Sequence, residues 1–231
     1  GSGKTIVSLL SILNVIESGY QCALMSPTEI LAKQHYDLSK KLFKNINLKI
    51  DFLTGKTEYK LKKNILNNLK NGNTQLVIGT HALFQKKIKF KKLGLIIIDE
   101  EHDSSYKQET STFKYHARDV AIVRAKYSNA TIVLGSATPS IESYYNAINN
   151  KFNLLEIKSR YNDAEYPEVN IVDMTKGNNR FSYDFSYDLI SAMKECINNN
   201  EQIIILHNRR GFSNICRCQD CGSITTCNYC S

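Results

Sequence analysis

Residues 1–5 read Gly-Ser-Gly-Lys-Thr, and residues 93–100 read Leu-Gly-Leu-Ile-Ile-Ile-Asp-Glu. The first stretch is the second half of a phosphate-binding loop. In such a loop the backbone amides around Gly1, Ser2 and Gly3 point inward at phosphates, the Lys4 ammonium reaches the β and γ positions of ATP, and the Thr5 hydroxyl takes one position on Mg²⁺. The second stretch is a buried strand ending in two carboxylates, the usual acidic partner of that loop. At the carboxyl end of this strand Asp99 is placed to hold Mg²⁺, and Glu100 to orient the water that attacks the γ-phosphate. A chance glycine-rich turn before a helix would explain the loop but not the paired acids. The complete loop pattern needs a glycine upstream of residue 1, and the chain lacks an initiator Met, so the sequence reads as a fragment.

Working outward, Ile6, Val7, Leu9, Leu10, Ile12, Leu13, Val15 and Ile16 make residues 5–18 apolar nearly all round, and Gly19 ends the pattern as a C-terminal cap would. A buried helix is expected. Short apolar runs recur at 22–25, 76–78, 93–98 and 132–134, with helical patterns near 29–43, 58–70 and 115–127. Continuous rather than alternating apolar strands imply burial on both faces, hence a parallel sheet between helices. With the phosphate loop, this predicts an α/β, RecA-like nucleotide-binding domain over 1–157. A polar break with Tyr161, Asn162, Asp163 and Pro167 opens a second unit, 158–231. There the pattern predicts strands at 169–172 and 203–206, a loop at 175–185, and a helix carrying Leu189, Ile190, Met193 and Ile197.

The 231 residues suffice for one large domain and part of another, and no 18-residue apolar run is present, so the chain reads as soluble. Net charge is +8, but 23 of the 30 basic residues are Lys and Asn is equally frequent, a composition bias that weakens the overall charge as a signal. Position says more: residues 40–92 hold 14 Lys against only Asp51 and Glu58. For single lysines a solvated helix face opposite Leu61, Ile65, Leu66 and Leu69 is the plainer reading, while the cluster as a whole points to nucleic acid.

Five of seven cysteines fall in the last sixteen residues, while Cys22 and Cys196 sit alone in apolar patterns and read as core filler. Cys218 and Cys221, then Cys227 and Cys230, form two CxxC pairs. Each pair can give a tetrahedral Zn²⁺ two thiolates at about 2.3 Å. The two pairs either share one Zn²⁺ or stay unsatisfied. Cys216 is one residue too close to Cys218 and reads as a bystander. A motor working in a reducing cytosol disfavours disulfides.

Gly135-Ser136-Ala137-Thr138-Pro139 follows the run at 132–134 and sets two small hydroxyls beside the same sheet edge as Asp99. Glu101 and His102 read either as an ordinary exposed loop or as part of a coupling element.

Together these motifs resemble the first motor domain of superfamily 2 helicases, over nearly the whole chain. Residues 1–98, through GSGKTIVSLLSILNVIESGYQCALMSPTEILAKQHY and LVIGTHALFQKKIKFKKLGLIIIDE, look most like the RecG family. From about residue 94 to 231 the chain resembles the replication-restart helicases of the PriA family, through LGLIIIDEEHDSSYKQ, YHARDVAIVRAKY, LGSATPSIES, NRRGF and the CxxC pairs. Either the chain is a natural hybrid or two genes were joined at their shared motif, and the second reading is preferred.

The resemblance implies that Pro27, Thr28 and Glu29 contact the phosphates of the tracked strand and that Thr80 and His81 add a second DNA contact. It implies that Glu101 and His102 complete a DEEH motif, that Ser136, Ala137 and Thr138 form the SAT motif linking hydrolysis to strand movement, and that Arg209 and Arg210 open the second motor domain. The arginine completing the γ-phosphate site would lie beyond residue 231, so this fragment is expected to hydrolyse ATP hardly at all. In the PriA family the matching cysteines are half of a set of eight that forms two zinc sites. The implied function is an ATP-dependent 3′ to 5′ DNA helicase of replication restart, acting on forked or single-stranded DNA with primosome proteins and single-strand binding protein. The implied location is the bacterial cytoplasm, at the nucleoid. RecG-type branch migration, and a zinc-stabilised DNA-binding scaffold with a vestigial ATP site, are the alternatives.

Overall fold

Apolar runs that are buried on both faces pair into a sheet only if helices cover both sides, and this is what the chain builds. The computed structural model describes residues 3–85, 87–108, 114–157, 167–182, 184–207 and 223. The chain divides into two compact units, Gly1–Glu165 and Tyr166–Ser231. In the first, β1 (Gln21–Met25), β2 (Ile50–Leu53), β3 (Leu76–Gly79), β4 (Leu93–Asp99) and β7 (Thr131–Gly135) form one parallel sheet in the order β2-β3-β1-β4-β7. A small antiparallel ribbon, β5 (Lys107–Gln108) with β6 (Tyr115–His116), lies between β4 and α4 in the chain.

Alternate residues of each strand feed two separate cores. Cys22, Leu24, Leu76, Ile78, Leu95 and Ile97 meet Leu9 and Ile12 of α1 (Lys4–Glu17) and Ala32 of α2 (Glu29–Leu42). Ala23, Met25, Val77, Ile96 and Ile98 point the other way, toward Ile65 and Leu69 of α3 (Tyr59–Asn71) and toward α4 (Ala117–Ser128). The last presents Ala117, Ala121 and Ala125 one turn apart, small side chains that let the helix lie close on the sheet. Cys22 is core filler as expected: fully buried, its thiol pushed up to about 12 by desolvation.

Two expectations need correction. The first helix forms at Lys4–Glu17, and Gly19 takes the left-handed conformation beyond its end, but only Leu9 and Ile12 are buried. Ile6, Val7 and Leu10 are 46–61% exposed, because a helix flanking a sheet buries only the stripe that faces it. In the second unit, α6 (Tyr187–Asn198) forms where predicted, whereas residues 169–172 and 203–206 are not strands. Ile171 and Ile204 are almost fully exposed. An apolar run becomes a strand only when a neighbour takes its backbone hydrogen bonds, and among the described residues of this unit the only bridge joins Arg180 and Ser186. β2, the ribbon and α5 (Ile141–Ile148) arise without having been anticipated.

Candidate functional site

All strands of the sheet run the same way, so the segments that follow β1, β3, β4 and β7 meet at one edge, with α1 starting beside them. From β1 the chain leaves through α2 toward one side of the sheet, and from β4 through α4 toward the other. The crevice between the ends of β1 and β4 is therefore a topological switch point, where open α/β sheets bind ligands.

Gly3 opens α1 in the left-handed region (φ 80°), and its carbonyl accepts from the Ile6 and Val7 amides. No acidic residue occupies the first turn of α1, so the positive end of the helix dipole is uncompensated by the helix itself. Lys4 Nζ lies 3.1 Å from Glu100 Oε1, both side chains about 30% exposed. Glu100 has φ 47°, an uncommon conformation for a residue other than glycine. Gly1 and Ser2 lie outside the described residues.

Asp99 ends β4 with its side chain 20% exposed, and its Oδ2 is 2.9 Å from His35 Nε2 on α2. The buried Tyr106 donates its hydroxyl to two carbonyls, Asp99 O at 2.6 Å and Met25 O at 3.3 Å, tying the ends of β4 and β1 together across the switch point. Burial, with Asp99, Asp103, Glu100 and Glu101 around it, raises the Tyr106 phenol. Ser105 Oγ donates to Pro27 O at 3.0 Å, a second tie between the same two loops.

Glu101 is not part of an exposed loop; it is 1% exposed and fully satisfied. Oε1 accepts from the Ser140 amide at 2.7 Å, and Oε2 accepts from Arg118 Nη1 at 2.8 Å, Ser143 Oγ at 2.8 Å and Ser140 Oγ at 3.1 Å. Burial pushes this carboxyl up, but the Ser140 amide, the Arg118 guanidinium and the two hydroxyls outweigh it and hold it below the usual range. His102, partly exposed, lies with Nδ1 2.7 Å from Ser136 Oγ, so the loop after β4 touches the loop after β7 directly. Ser136 Oγ also accepts from the Thr138 amide at 3.0 Å, which shapes the turn through Ala137.

On the other side of the crevice, Thr28 caps α2 by accepting from the Leu31 amide, and Glu29 pairs with Lys56 at 3.1 Å. The Glu29 carboxyl is lowered chiefly by its hydrogen bonds from Lys56 and Thr54. Thr80 is buried at the end of β3, and burial lowers the next residue, His81, against an opposing pull from Glu29. Pro27–Glu29 and Thr80–His81 thus follow adjacent strands. The described lysines of 40–92 are exposed, Lys62 alone being half-buried, as a solvated basic face requires.

The donor set at the crevice, a carboxylate on Asp99 and a hydroxyl on Thr5, is made of hard oxygens and fits Mg²⁺, which keeps several of its waters and is shared with phosphate oxygens. Cys216, Cys218, Cys221, Cys227, Cys230, Arg209 and Arg210 lie outside the described residues, and among the described ones no group of His, Cys, Asp and Glu is arranged to hold a metal. A cavity of about 670 Å³ lies at the opposite edge of the sheet, between Tyr20, Lys92, Leu93, Val123, Arg124 and Tyr127, and takes no part in this cluster. No helix of the described residues is long and apolar enough to cross a membrane.

His35, Tyr106, Arg118, Ser140 and Ser143 escaped the sequence reading. Ser140 had left a trace: a serine directly after a proline, with Glu142 in the first turn of the helix that follows, is an N-cap pattern.

Comparison with known proteins agrees with this geometry. The chain is 37% identical over its whole length to the replication restart protein PriA of Rickettsia felis, covering 35% of that protein, and 37% identical over its whole length to PriA of Bacillus subtilis, covering 28%. It therefore spans about a third of the curated relatives it matches. Both alignments run through residues 94–98 and beyond on either side, so one family spans both halves and no junction is required to account for the sequence. In fold the chain is similar to Saccharomyces cerevisiae Dbp5 bound to RNA and ADP BeF3, with 21% identity, a TM-score of 0.50, and coverage of 68% of this chain and 39% of that one. The DEAD/DEAH box helicase family matches residues 1–147, well over half of the chain, and the chain belongs to that family.

Proposed function

We propose that this chain is the nucleotide-binding motor portion of an ATP-dependent 3′ to 5′ DNA helicase that acts in replication restart, as its PriA relatives are named to do. The observation that carries the reading is the contact between Lys4 and Glu100 beside Asp99: the loop lysine and the acids at the strand end meet at the switch point, as hydrolysis of a phosphoanhydride needs. In this reading Lys4 leaves Glu100 for the phosphates, and Glu100, released, orients the attacking water. Thr5 and Asp99 would hold Mg²⁺, and that ion would supply charge neutralisation at the phosphate oxygens. The Ser136 contact to His102 passes the change at Glu100 to the loop after β7. The segment Pro27–Glu29, through the backbone amides and Thr28 hydroxyl at the start of α2, and Thr80 and His81 bind strand phosphates, with the lysines of 40–92 adding salt-dependent affinity.

Residues 158–231 begin the second motor domain, and Cys218, Cys221, Cys227 and Cys230 supply part of a zinc module that serves partner recruitment and DNA binding. Forked or single-stranded DNA, primosome proteins and single-strand binding protein are the partners this role requires, in the bacterial cytoplasm at the nucleoid.

The test uses the full-length protein. The wild type is expected to hydrolyse ATP in response to forked DNA and to unwind substrates with a 3′ tail, and Lys4→Ala to do neither. A Lys4→Ala variant with full ATPase activity sinks the enzyme reading. Zinc analysis separates restart from RecG-type branch migration: bound Zn²⁺ that falls on Cys218→Ser and Cys227→Ser favours restart.

A further inference from the structure

Asp99 is the carboxylate on which the metal reading depends, and one of its two oxygens is already engaged. Oδ2 lies 2.9 Å from His35 Nε2, a pair with side chains only 12% and 20% exposed and 64 residues apart in sequence. A carboxylate only accepts, so Nε2 carries the hydrogen. The backbone oxygen of Asp99 is separately held by Tyr106, so with Oδ2 on His35 the second carboxylate oxygen, Oδ1, is the one assigned to the metal.

His35 is itself held from behind. Its carbonyl accepts from the buried Ser39 Oγ at 2.7 Å, and Ala32, one turn earlier, is fully buried against the sheet. Thr28 precedes His35 by seven residues, two helical turns, so the two lie on the same side of α2. The helix that begins with the expected strand-phosphate contacts therefore reaches Asp99 with its second turn.

We propose that His35 is a positioning residue: its hydrogen bond fixes the Asp99 carboxylate for Mg²⁺ and links that carboxylate to α2, so that gripping a DNA strand at Thr28 and Glu29 changes metal affinity at the nucleotide site. The proposal rests on the assignment of Asp99 as metal-holding and of the α2 entry as a DNA contact. Partners of this kind, one step removed from the metal, typically change metal affinity by about 10- to 100-fold when deleted.

The experiment measures Mn²⁺ binding to the full-length protein with a non-hydrolysable ATP analogue, from the free-ion EPR signal, with and without single-stranded DNA. His35→Gln and His35→Asn keep a similar size and polarity. The Gln amide reaches the position of Nε2 and the Asn amide stops short. His35→Gln is expected to hold Mn²⁺ within about threefold of wild type and to keep its response to DNA. His35→Asn and His35→Ala are expected to bind at least about tenfold more weakly and to lose that response, with metal-free nucleotide affinity unchanged. Equal Mn²⁺ affinity in Gln and Asn variants overturns the proposal, whether both match wild type or both are weakened alongside a lower melting temperature. So does a DNA response retained in His35→Asn. Asp99→Asn is the control: if it binds Mn²⁺ as wild type does, the metal assignment of Asp99 has failed rather than the role of His35.

Discussion

Glu100 and Glu101 are neighbours in sequence and opposites in circumstance. Glu100 sits in the crevice about one-third exposed, with a left-handed backbone and an ion pair to Lys4 that water can replace. Glu101 is sealed beneath α5 with four hydrogen bonds, one of them from a guanidinium, and nothing in its surroundings allows it to move without loss. The contrast teaches how the strand end divides labour: one carboxylate stays free to exchange partners during a reaction, and the next anchors the loop that presents it. Substitutions on the two sides should therefore read out in different measurements.

The largest effect is expected on the exchangeable side. Lys4→Ala in the full-length protein should lower DNA-stimulated ATPase by about 10³-fold or more while leaving urea unfolding within about 0.5 kcal/mol of wild type, since an ion pair this open contributes little to stability. On the anchored side the pattern should invert. Glu101→Ala takes from the mostly buried Arg118 its buried counter-charge and leaves it only the exposed Asp119, 3.1 Å from its Nε, so the change should cost about 3 kcal/mol, the low end for a broken buried pair, in the same unfolding experiment. If Glu101→Ala unfolds like wild type, the anchor role is wrong.

Acid should separate the two sides further, in two stages. The lowered pKa values of His116 and His81 mean that the folded state prefers the neutral rings. Their contribution to stability is present above the ordinary histidine value, about 6.5, and is lost as pH falls through the folded values. Glu101 is also lowered, so its contribution is complete above about pH 4.3 and disappears at lower pH. Melting temperature should fall first as pH drops below about 6.5 and again below about 4.3. His116→Phe should flatten part of the first stage without touching the second, because the buried His116 Nδ1 has no hydrogen-bond partner to lose. A melting temperature that rises on acidification from pH 7.5 to 5 would contradict the first stage. The smallest effect is expected at Tyr106→Phe, about 1 kcal/mol for the lost ties to Asp99 and Met25, again by urea unfolding.

The central strands were legible because β1, β3 and β4 are almost uniformly apolar, a pattern that burial on two faces imposes. β2 was missed because Asp51 interrupts it, and that carboxylate is accommodated by the Thr74 hydroxyl, a partner 23 residues away. The runs at 169–172 and 203–206 failed for the converse reason: a local pattern carries no information about whether a neighbouring strand exists. At the site, Lys4, Asp99, Glu100 and Ser136 could be named because each sits in a short motif of fixed spacing. His35 and Arg118 could not, since their meaning comes from Asp99 and Glu101 at distances of 64 and 17 residues.

The tie that Tyr106 makes between β1 and β4 also has a spectroscopic consequence. The chain contains thirteen tyrosines and no tryptophan, so its near-ultraviolet absorbance belongs to phenols. Tyr106 is 1% exposed at the junction of the two strands, and its ionisation is delayed by burial and by the acids around it. In an alkaline titration its phenolate signal should emerge only as the crevice comes apart, which makes the opening of the switch point visible without any introduced label.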